Sequence, residues 1–533
     1  MYRFPKPVLS ASMLCLALTS AAQVAPAPPA AASERLTPPE SPAPRINGAQ
    51  LIGIRPDAPI LFTIAASGER PMHLSANGLP AGMHLDSESG LITGSVSTVG
   101  AQVVTVRATN ARGSAERRLT FVIGDRIALS PPLGWNSWNC WGDSVSQDKV
   151  LSSARAMVDK GLRDHGWTYI NIDDGWQGTR GGPFNAIQPN AKFPAMKALV
   201  ASIHAMGLKF GIYSTPWRGS YAGYIGSSCD HPDGSYNWQK ANQHNENFRI
   251  GSNEEESRAM RSKQWNSGQY SFVVADVRQW AEWGVDYLKY DWYPNDVPQV
   301  EEISAALEAS GRDIVLSLSN KAPYGLAADW SRLANAWRTT DDISDSWQRL
   351  SAIGFHQDRW APFTGPGHWS DPDMLVVGRL SCGSDLHLTN LTADEQYTHI
   401  SLWSLLAAPL LIGCDLAQLD DFTLGLLTND EVIDVDQDPL GLQATQISSE
   451  SEKLIYAKEL ADRSFAVGLF NTGQTRVAIA FKWKDYGDFP KPLRDHQRVR
   501  DLWRQKDFGV FDGSFEAEVA PHGVVFLRLI PEP

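Results

Sequence analysis

The sequence predicts an α/β protein in which a central strand–helix region is flanked on both sides by all-β segments. Three observations carry this prediction. Between about residues 130 and 437, buried-strand patterns alternate with helical ones. Before that region, residues 45–125 hold short β-type runs between Gly, Asn and Pro turns. After it, residues 438–533 return to strand patterns. With 533 residues, 43% hydrophobic and 20% charged, the chain is too long for one compact domain and ordinary in composition for globular protein.

In chain order, residues 1–22 read as a signal peptide. Arg3 and Lys6 form the positive region, Val8 to Leu18 the apolar run, and Ser20-Ala21-Ala22 the small residues at a cleavage site. A secreted or periplasmic protein is expected. Leu14 before Cys15 argues against lipoprotein processing. Residues 23–44, rich in Ala and Pro, read as an extended, mobile linker. In 45–125, the runs 61–64, 90–96 and 103–109 are short strands of a small β-sandwich.

The central region opens its strands at 167–173, 208–213, 285–291, 314–318 and 409–413. Ser146 is a plausible N-cap ahead of Val150, Ala154, Met157, Val158 and Leu162 at helical spacing. Thr392 and Glu395 make a capping box for an apolar helix reaching Ala407. This alternation fits an α/β barrel or a doubly wound sheet. No GxGxxG or P-loop follows the first strand, which weakens a dinucleotide-binding reading. The polar stretch 225–270 follows a strand, so it either shapes a substrate entrance or is a solvated insertion. Beyond 438, the runs 454–458, 464–470, 477–481 and 523–529 form a C-terminal antiparallel sandwich.

Composition excludes several functions. A net charge of −13 without a basic stripe argues against nucleic acid. No stretch reaches the ~20 apolar residues of a membrane span, so no membrane insertion is expected. Cys140, Cys229, Cys382 and Cys414 lack zinc spacing, so structural thiols or one disulfide are expected and no metal. The 19 Trp residues suit a sugar site or a core almost equally.

Polar and aromatic residues recur at strand ends, where barrel enzymes keep their chemistry. The first strand ends in 134–138, the second in Asp173, Asp174 and Trp176, the third in Tyr213 and the fourth in Lys289 and Asp291. The sixth supplies Trp337, Arg338, Asp341 and Asp342, and the seventh is followed by Asp371 and Asp373. One such acid reads as a cap or surface residue. Their recurrence reads as a site.

The ordered motifs PPLGWNSWN (131–139), YINIDDGW (169–176), LKFGIY (208–213), DYLKYD (286–291), WRTTDDISDSW (337–347) and HWSDPDML (368–375) resemble glycoside hydrolase family 27. That family holds α-galactosidases and α-N-acetylgalactosaminidases. AAPLLIGCDL and DVDQDPLG carry the resemblance toward the C-terminal sandwich. Residues 78–82, 85–90 and 108–111 look like the Ig-like domains attached to bacterial enzymes. The resemblance implies a (β/α)8 TIM barrel over 130–437, an N-terminal Ig-like β-sandwich over 45–125 and a C-terminal antiparallel β-sandwich over 438–533. The Ig-like segment is expected to act as a spacer or barrel cover.

The same resemblance implies a retaining exo-glycosidase that removes terminal α-D-galactose from oligo- or polysaccharides without a cofactor. Asp291 matches the nucleophile and Asp342 the general acid/base, a pair such enzymes hold ~5–5.5 Å apart. The register of WR-x3-DI favours Asp342 over Asp341 and Asp345. Lys289 shares the face of Asp291 and is expected to favour its ionised form. Asp173 and Asp174 match the acids for O4 and O6, and Trp138 an aromatic wall. Tyr213, Lys289, Arg338 and Asp373 match the rest of the sugar pocket, with Arg338 a clamp for O2. Trp176, Trp337 and Trp369 are expected to pack behind it.

Two departures from the family pattern bear on specificity. Tyr221 and Tyr293 stand where many relatives carry a disulfide, so the two rings are expected to touch or one of them to enter the pocket. Ser319-Asn-Lys-Ala322 replaces the Glu and bulky residue common near O2. Small residues there suit a 2-acetamido group, which keeps an α-N-acetylgalactosaminidase open. A β-L-arabinopyranosidase fits less well because Asp173 keeps the acid for O6. The rival class is a catalytically inactive galactose-binding protein, which would not need both carboxylates.

Overall fold

A computed structural model describes residues 35–236, 263–381, 385–483 and 495–532. The expected signal peptide, residues 23–34 of the linker, 237–262 of the polar stretch and Cys382 lie outside the described residues.

Eight parallel strands form the central sheet: β1 (Leu133–Asn136), β2 (Tyr169–Asn171), β3 (Lys209–Ser214), β4 (Tyr287–Asp291), β5 (Val315–Ser319), β6 (Ala336–Arg338), β7 (Trp369–Asp371) and β8 (Leu410–Ile412). Their spatial order follows the chain, with β8 pairing back onto β1. Leu375, just beyond β7, bridges in parallel to Ile412 of β8 and joins the two edges. The sheet therefore curls into a barrel rather than opening into a doubly wound sheet. Both faces of the strands are buried, which is why they read as short apolar runs.

The two helix starts read from the sequence are capped by side chains. Lys149 N donates to Ser146 Oγ at the start of α1 (Gln147–Asp159). The capping box is complete at α2 (Ala393–Leu405): Glu395 N donates to Thr392 Oγ1, and Thr392 N to Glu395 Oε2. The helix stops two residues short of the expected Ala407. Every residue of α2 from Glu395 to Leu405 is buried, because it lies between barrel and C-terminal sandwich. Trp503 Nε1 donates to Ser401 Oγ at 2.8 Å and Lys458 Nζ to Ser404 O at 3.0 Å across that boundary.

The N-terminal β region has a four-stranded and a three-stranded sheet around Leu74, Ile92, Val104, Val106 and Phe121. It packs on the end of the barrel where strands begin. Arg55 pairs with Asp313 ahead of β5, Thr63 Oγ1 donates to Gly207 O ahead of β3, and Asn47 Nδ2 donates to Asp164 O ahead of β2. At the C-terminus a six-stranded antiparallel sheet and a two-stranded one enclose Val467, Leu469, Phe481, Trp483 and Leu527.

The expected linker is docked, not free, at the first of its described residues. Leu36 N donates to the Tyr397 hydroxyl at 2.8 Å, and Thr37 Oγ1 donates to Gly425 O at 2.7 Å. Leu36 gains apolar cover against the barrel helices, which a mobile segment would forgo. Cys140, Cys229 and Cys414 are buried free thiols. No helix among the described residues is long and apolar enough to cross a membrane.

Candidate active site

Asp291 is the last residue of β4 and only 7% exposed. Tyr290 turns outward into the packed layer under the helices, while Lys289 and Asp291, two apart, share the inner face. Lys289 Nζ donates to Asp173 Oδ2 at 2.8 Å, tying β4 to the end of β2. Asp291 Oδ1 has no hydrogen-bond partner among the described residues. Burial pushes the Asp291 carboxyl up to about 7 against the downward pull of Lys289, and Asp173 and Asp342 add to the rise. Lys289 does favour the ionised form, as expected, but it does not prevail. Loss of hydration outweighs one cation whose ammonium is already bound to Asp173.

Asp342 lies four residues beyond β6. Its side chain is 71% exposed, and Arg338 Nη2 donates to its Oδ1 at 3.3 Å. Although desolvation opposes them, Arg338 and then Lys289 hold the Asp342 carboxyl below the usual carboxylate range. Its neighbours are engaged elsewhere. Asp341 pairs with exposed Lys321, and Asp345 accepts from Asn390 N and Nδ2.

Asp373 reaches Arg338 from beyond β7, with Oδ2 at 2.7 Å from Nη2. The same Oδ2 accepts from Ile343 N at 2.7 Å, and Oδ1 accepts from Met374 N at 2.8 Å. Asp373 sits at φ 96°, a left-handed conformation rare for a side-chain-bearing residue. Its carboxylate is spent on Arg338 and on the backbone next to Asp342. Asp373 is 2% exposed, as are Asp173 and Asp174, and fixes Arg338 and the backbone beside Asp342.

At the end of β2, Asp173 Oδ1 accepts from Asp174 N, and Asp174 accepts from Gln177 Nε2 at 3.0 Å and Ala222 N at 2.8 Å. Burial pushes Asp174 up to about 6. Tyr213 of β3 is buried with its hydroxyl unpartnered among the described residues, and Lys289 Nζ stands 5.6 Å from its ring centre. Trp138 is half-buried just past β1. Ser319 ends β5 and lines, with Lys289, Arg338 and Asp373, a small cavity of about 20 Å³ that continues to Tyr287 and Asp371 in the barrel interior. All ten sequence-expected residues therefore sit at or just past strand ends, on the same rim. Trp176 and Trp337 are fully buried beside it, Trp176 Nε1 donating to Tyr213 O, whereas Trp369 is buried at the start of β7 and donates to Ala128 O at the opposite end of the barrel.

One buried group went unread in the sequence: Gln177, which fixes Asp174. It lies one residue beyond the strand-end motif 169–176, and nothing in its type or spacing distinguished it. Asp371, read among the strand-end acids, accepts a hydrogen bond from Asp373 N while facing Arg338. The two tyrosines separate: Tyr221 is half-buried against Trp217 and Trp265, whereas Tyr293 is 51% exposed.

Comparison with known proteins gives three family matches. The alpha galactosidase A family matches residues 130–237 and 244–438, an alpha galactosidase C-terminal beta sandwich domain matches 450–529, and an Ig domain matches 43–124. The chain is 34% identical over 407 residues to alpha-galactosidase 2 of Arabidopsis thaliana, covering 75% of this chain and 89% of that one. It is 31% identical over 379 residues to Homo sapiens alpha-N-acetylgalactosaminidase, covering 66% and 79%. A crystal structure of an alpha-galactosidase-type protein from Bacteroides fragilis superposes with TM-score 0.78 at 30% identity, covering 93% of this chain and 99% of that one.

Proposed function

The chain belongs to the alpha galactosidase A family of glycoside hydrolases, and from that premise we propose that it removes terminal α-D-galactose with retention of configuration. What supports the reading is the placement of two carboxyl groups at the same end of the barrel, Asp291 at the end of β4 and Asp342 just past β6 on Arg338, each within electrostatic reach of the other. Asp291 attacks the anomeric carbon and Asp342 delivers a proton to the departing oxygen. Water then enters, Asp342 takes its proton, and the glycosyl–Asp291 ester is broken.

This chemistry needs Asp291 ionised and Asp342 protonated, whereas burial raises the first carboxyl and Arg338 and Lys289 lower the second. Substrate binding supplies the correction. A sugar covering Asp342 strips the water from its 71% exposed side chain, which raises its proton affinity. Hydroxyl donors of the same sugar reach the unpartnered Asp291 Oδ1 and stabilise its charge. Asp173 and Asp174 accept from sugar hydroxyls, Trp138 and Tyr213 wall the ring, and Lys289, Ser319 and Arg338 close its floor. No cofactor takes part.

Asp291→Asn is expected to lower kcat for aryl α-galactosides by on the order of 10³-fold or more, with the fold retained. Undiminished hydrolysis would refute the assignment and leave a sugar-binding reading. Asp342→Ala is expected to lose more activity on poor leaving groups than on nitrophenol, since only the former need a proton.

Ser319 and Ala322 favour one second reading, an α-N-acetylgalactosaminidase, because neither side chain fills the space beside a 2-substituent. Parallel rates on aryl α-galactoside and aryl α-N-acetylgalactosaminide decide between them. The N-terminal charge and apolar pattern supports export to the periplasm or beyond. Sequencing the mature N-terminus tests it: cleavage after Ala22 is expected.

A further inference from the structure

We propose that Tyr221 forms the leaving-group side of the cleft, where its ring and hydroxyl bind the sugar to which galactose is attached. The inference rests on the α-galactosidase reading above and names a subsite for it. Tyr221 is bracketed on both sides of the chain. Before it, Ser220 O accepts from Trp265 Nε1 at 3.2 Å. After it, Ala222 N donates to Asp174 Oδ2 at 2.8 Å, so the loop carrying Tyr221 is anchored to an acid of the galactose pocket itself.

The ring is held as firmly as the backbone. It packs edge-on against Trp217 with centres 5.3 Å apart and tilted against Trp265 at 5.2 Å. Trp217 and Trp265 in turn stack at 6.3 Å and 22°. Trp217 is 7% exposed, so it backs the cluster, leaving Tyr221 and Trp265 the half-buried members. A rigid aromatic pair with one polar edge is the surface that sugar rings bind, because little side-chain freedom remains to be lost.

The neighbours of the hydroxyl give the subsite its place. Asp291 and Asp342 both bear on it, and Asn320 approaches it from beyond β5. Burial first, and then those carboxylates, keep the phenol protonated, hence a donor. Tyr221 thus stands on the loop after β3 between Asp174 of the galactose pocket, reached through Ala222 N, and Asp342, which protonates the leaving oxygen. A disulfide at this position would offer neither a face nor a donor. The group it recognises is a neutral, hydroxyl-bearing saccharide rather than an aryl aglycone.

The experiment compares kcat/KM of wild type, Tyr221→Phe and Tyr221→Ala on p-nitrophenyl α-galactoside and on an α-1,6-galactosyl disaccharide, with Tm measured for each. Wild type must first cleave either substrate; if it cleaves neither, the α-galactosidase reading fails, not this one. Given activity, Tyr221→Phe is expected to lower the disaccharide-to-aryl ratio about tenfold, the size of one hydrogen bond, and mostly through KM. Tyr221→Ala should lower the ratio further by removing the face. An unchanged ratio in both variants, whether through no loss or equal loss on both substrates, overturns the proposal. Tyr221→Phe keeps the packed ring, so misfolding of the Ala variant does not spare it from this test.

Discussion

A buried carboxyl with one oxygen unpartnered ties catalysis to pH. In the empty site Asp291 is pushed up to about 7 and Asp342 lies below the ordinary range, so between roughly pH 4 and 7 the pair holds one proton. Only that singly protonated pair can react, whichever oxygen carries the proton at a given instant. A plot of kcat/KM against pH is therefore expected to be bell-shaped with its plateau on the acidic side and its alkaline limb near 7. Lys289→Met removes the cation that opposes burial, so the alkaline limb should move up as the rate falls. Stability carries the same signature. Asp291 has a folded value above its unfolded one, so the folded state is relatively favoured at low pH and loses that advantage as pH rises to about 7. Asp291→Asn should thus raise Tm at about pH 8 and leave it nearly unchanged at about pH 4, which thermal scans at the two pH values check. The sequence placed Lys289 and Asp291 on one face through period-two alternation. It could not weigh the cation against dehydration, because burial at a strand end depends on loops from β2, β3 and β6 together.

Short, doubly buried strands leave little room for error, and glycine marks where. Gly211 lies in β3 between β2 and β4, and a Cβ there would come within 2.0 Å of Asn171 Oδ1 and 3.0 Å of Tyr287 Cβ. Gly211→Ala is expected to destabilise by about 2–4 kcal/mol, as overpacking in a fixed core does, and to lower activity through the displaced β4. Denaturant unfolding measures the first effect. Strand positions, Ser146 and the Thr392–Glu395 box were legible because each has a local pattern. The far end of α2 was not, since a helix buried on every side has no polar face to mark its last turn. The Trp content left core and sugar site undecided for a similar reason. Among the described residues eleven Trp are fully buried, which reports a large core, while Trp138 and Trp265 are half-buried.

Over the whole molecule, chemistry and scaffolding occupy opposite ends of the barrel. The Ig-like region touches the barrel where strands begin, as do the acids that fasten it: Asp434 accepts from Arg117 Nη2 at 2.9 Å and from Arg45 Nη2 at 2.8 Å, and Asp430 pairs with Arg45 at 3.5 Å. Sequence composition could mark this region as a separate β unit, yet the face it covers is set by residues hundreds of positions apart, Arg117 and Asp434 for example, with no local signal linking them. The arrangement separates stability from turnover. Asp434→Ala leaves two arginines facing each other at the joint without their shared carboxylate. A loss of about 1–2 kcal/mol is expected, moderated because Arg45 and Asp434 are partly exposed. High salt screens the exposed part of that interaction, so the Tm gap between wild type and variant should narrow as ionic strength rises. Meanwhile kcat and KM on an α-galactoside should stay within about twofold of wild type, because the ion pairs this substitution removes lie across the barrel from Asp291 and Asp342. A large change in KM with little change in Tm would mean that the Ig-like region steers the catalytic rim, contrary to the separation that its docking at the strand-start end implies.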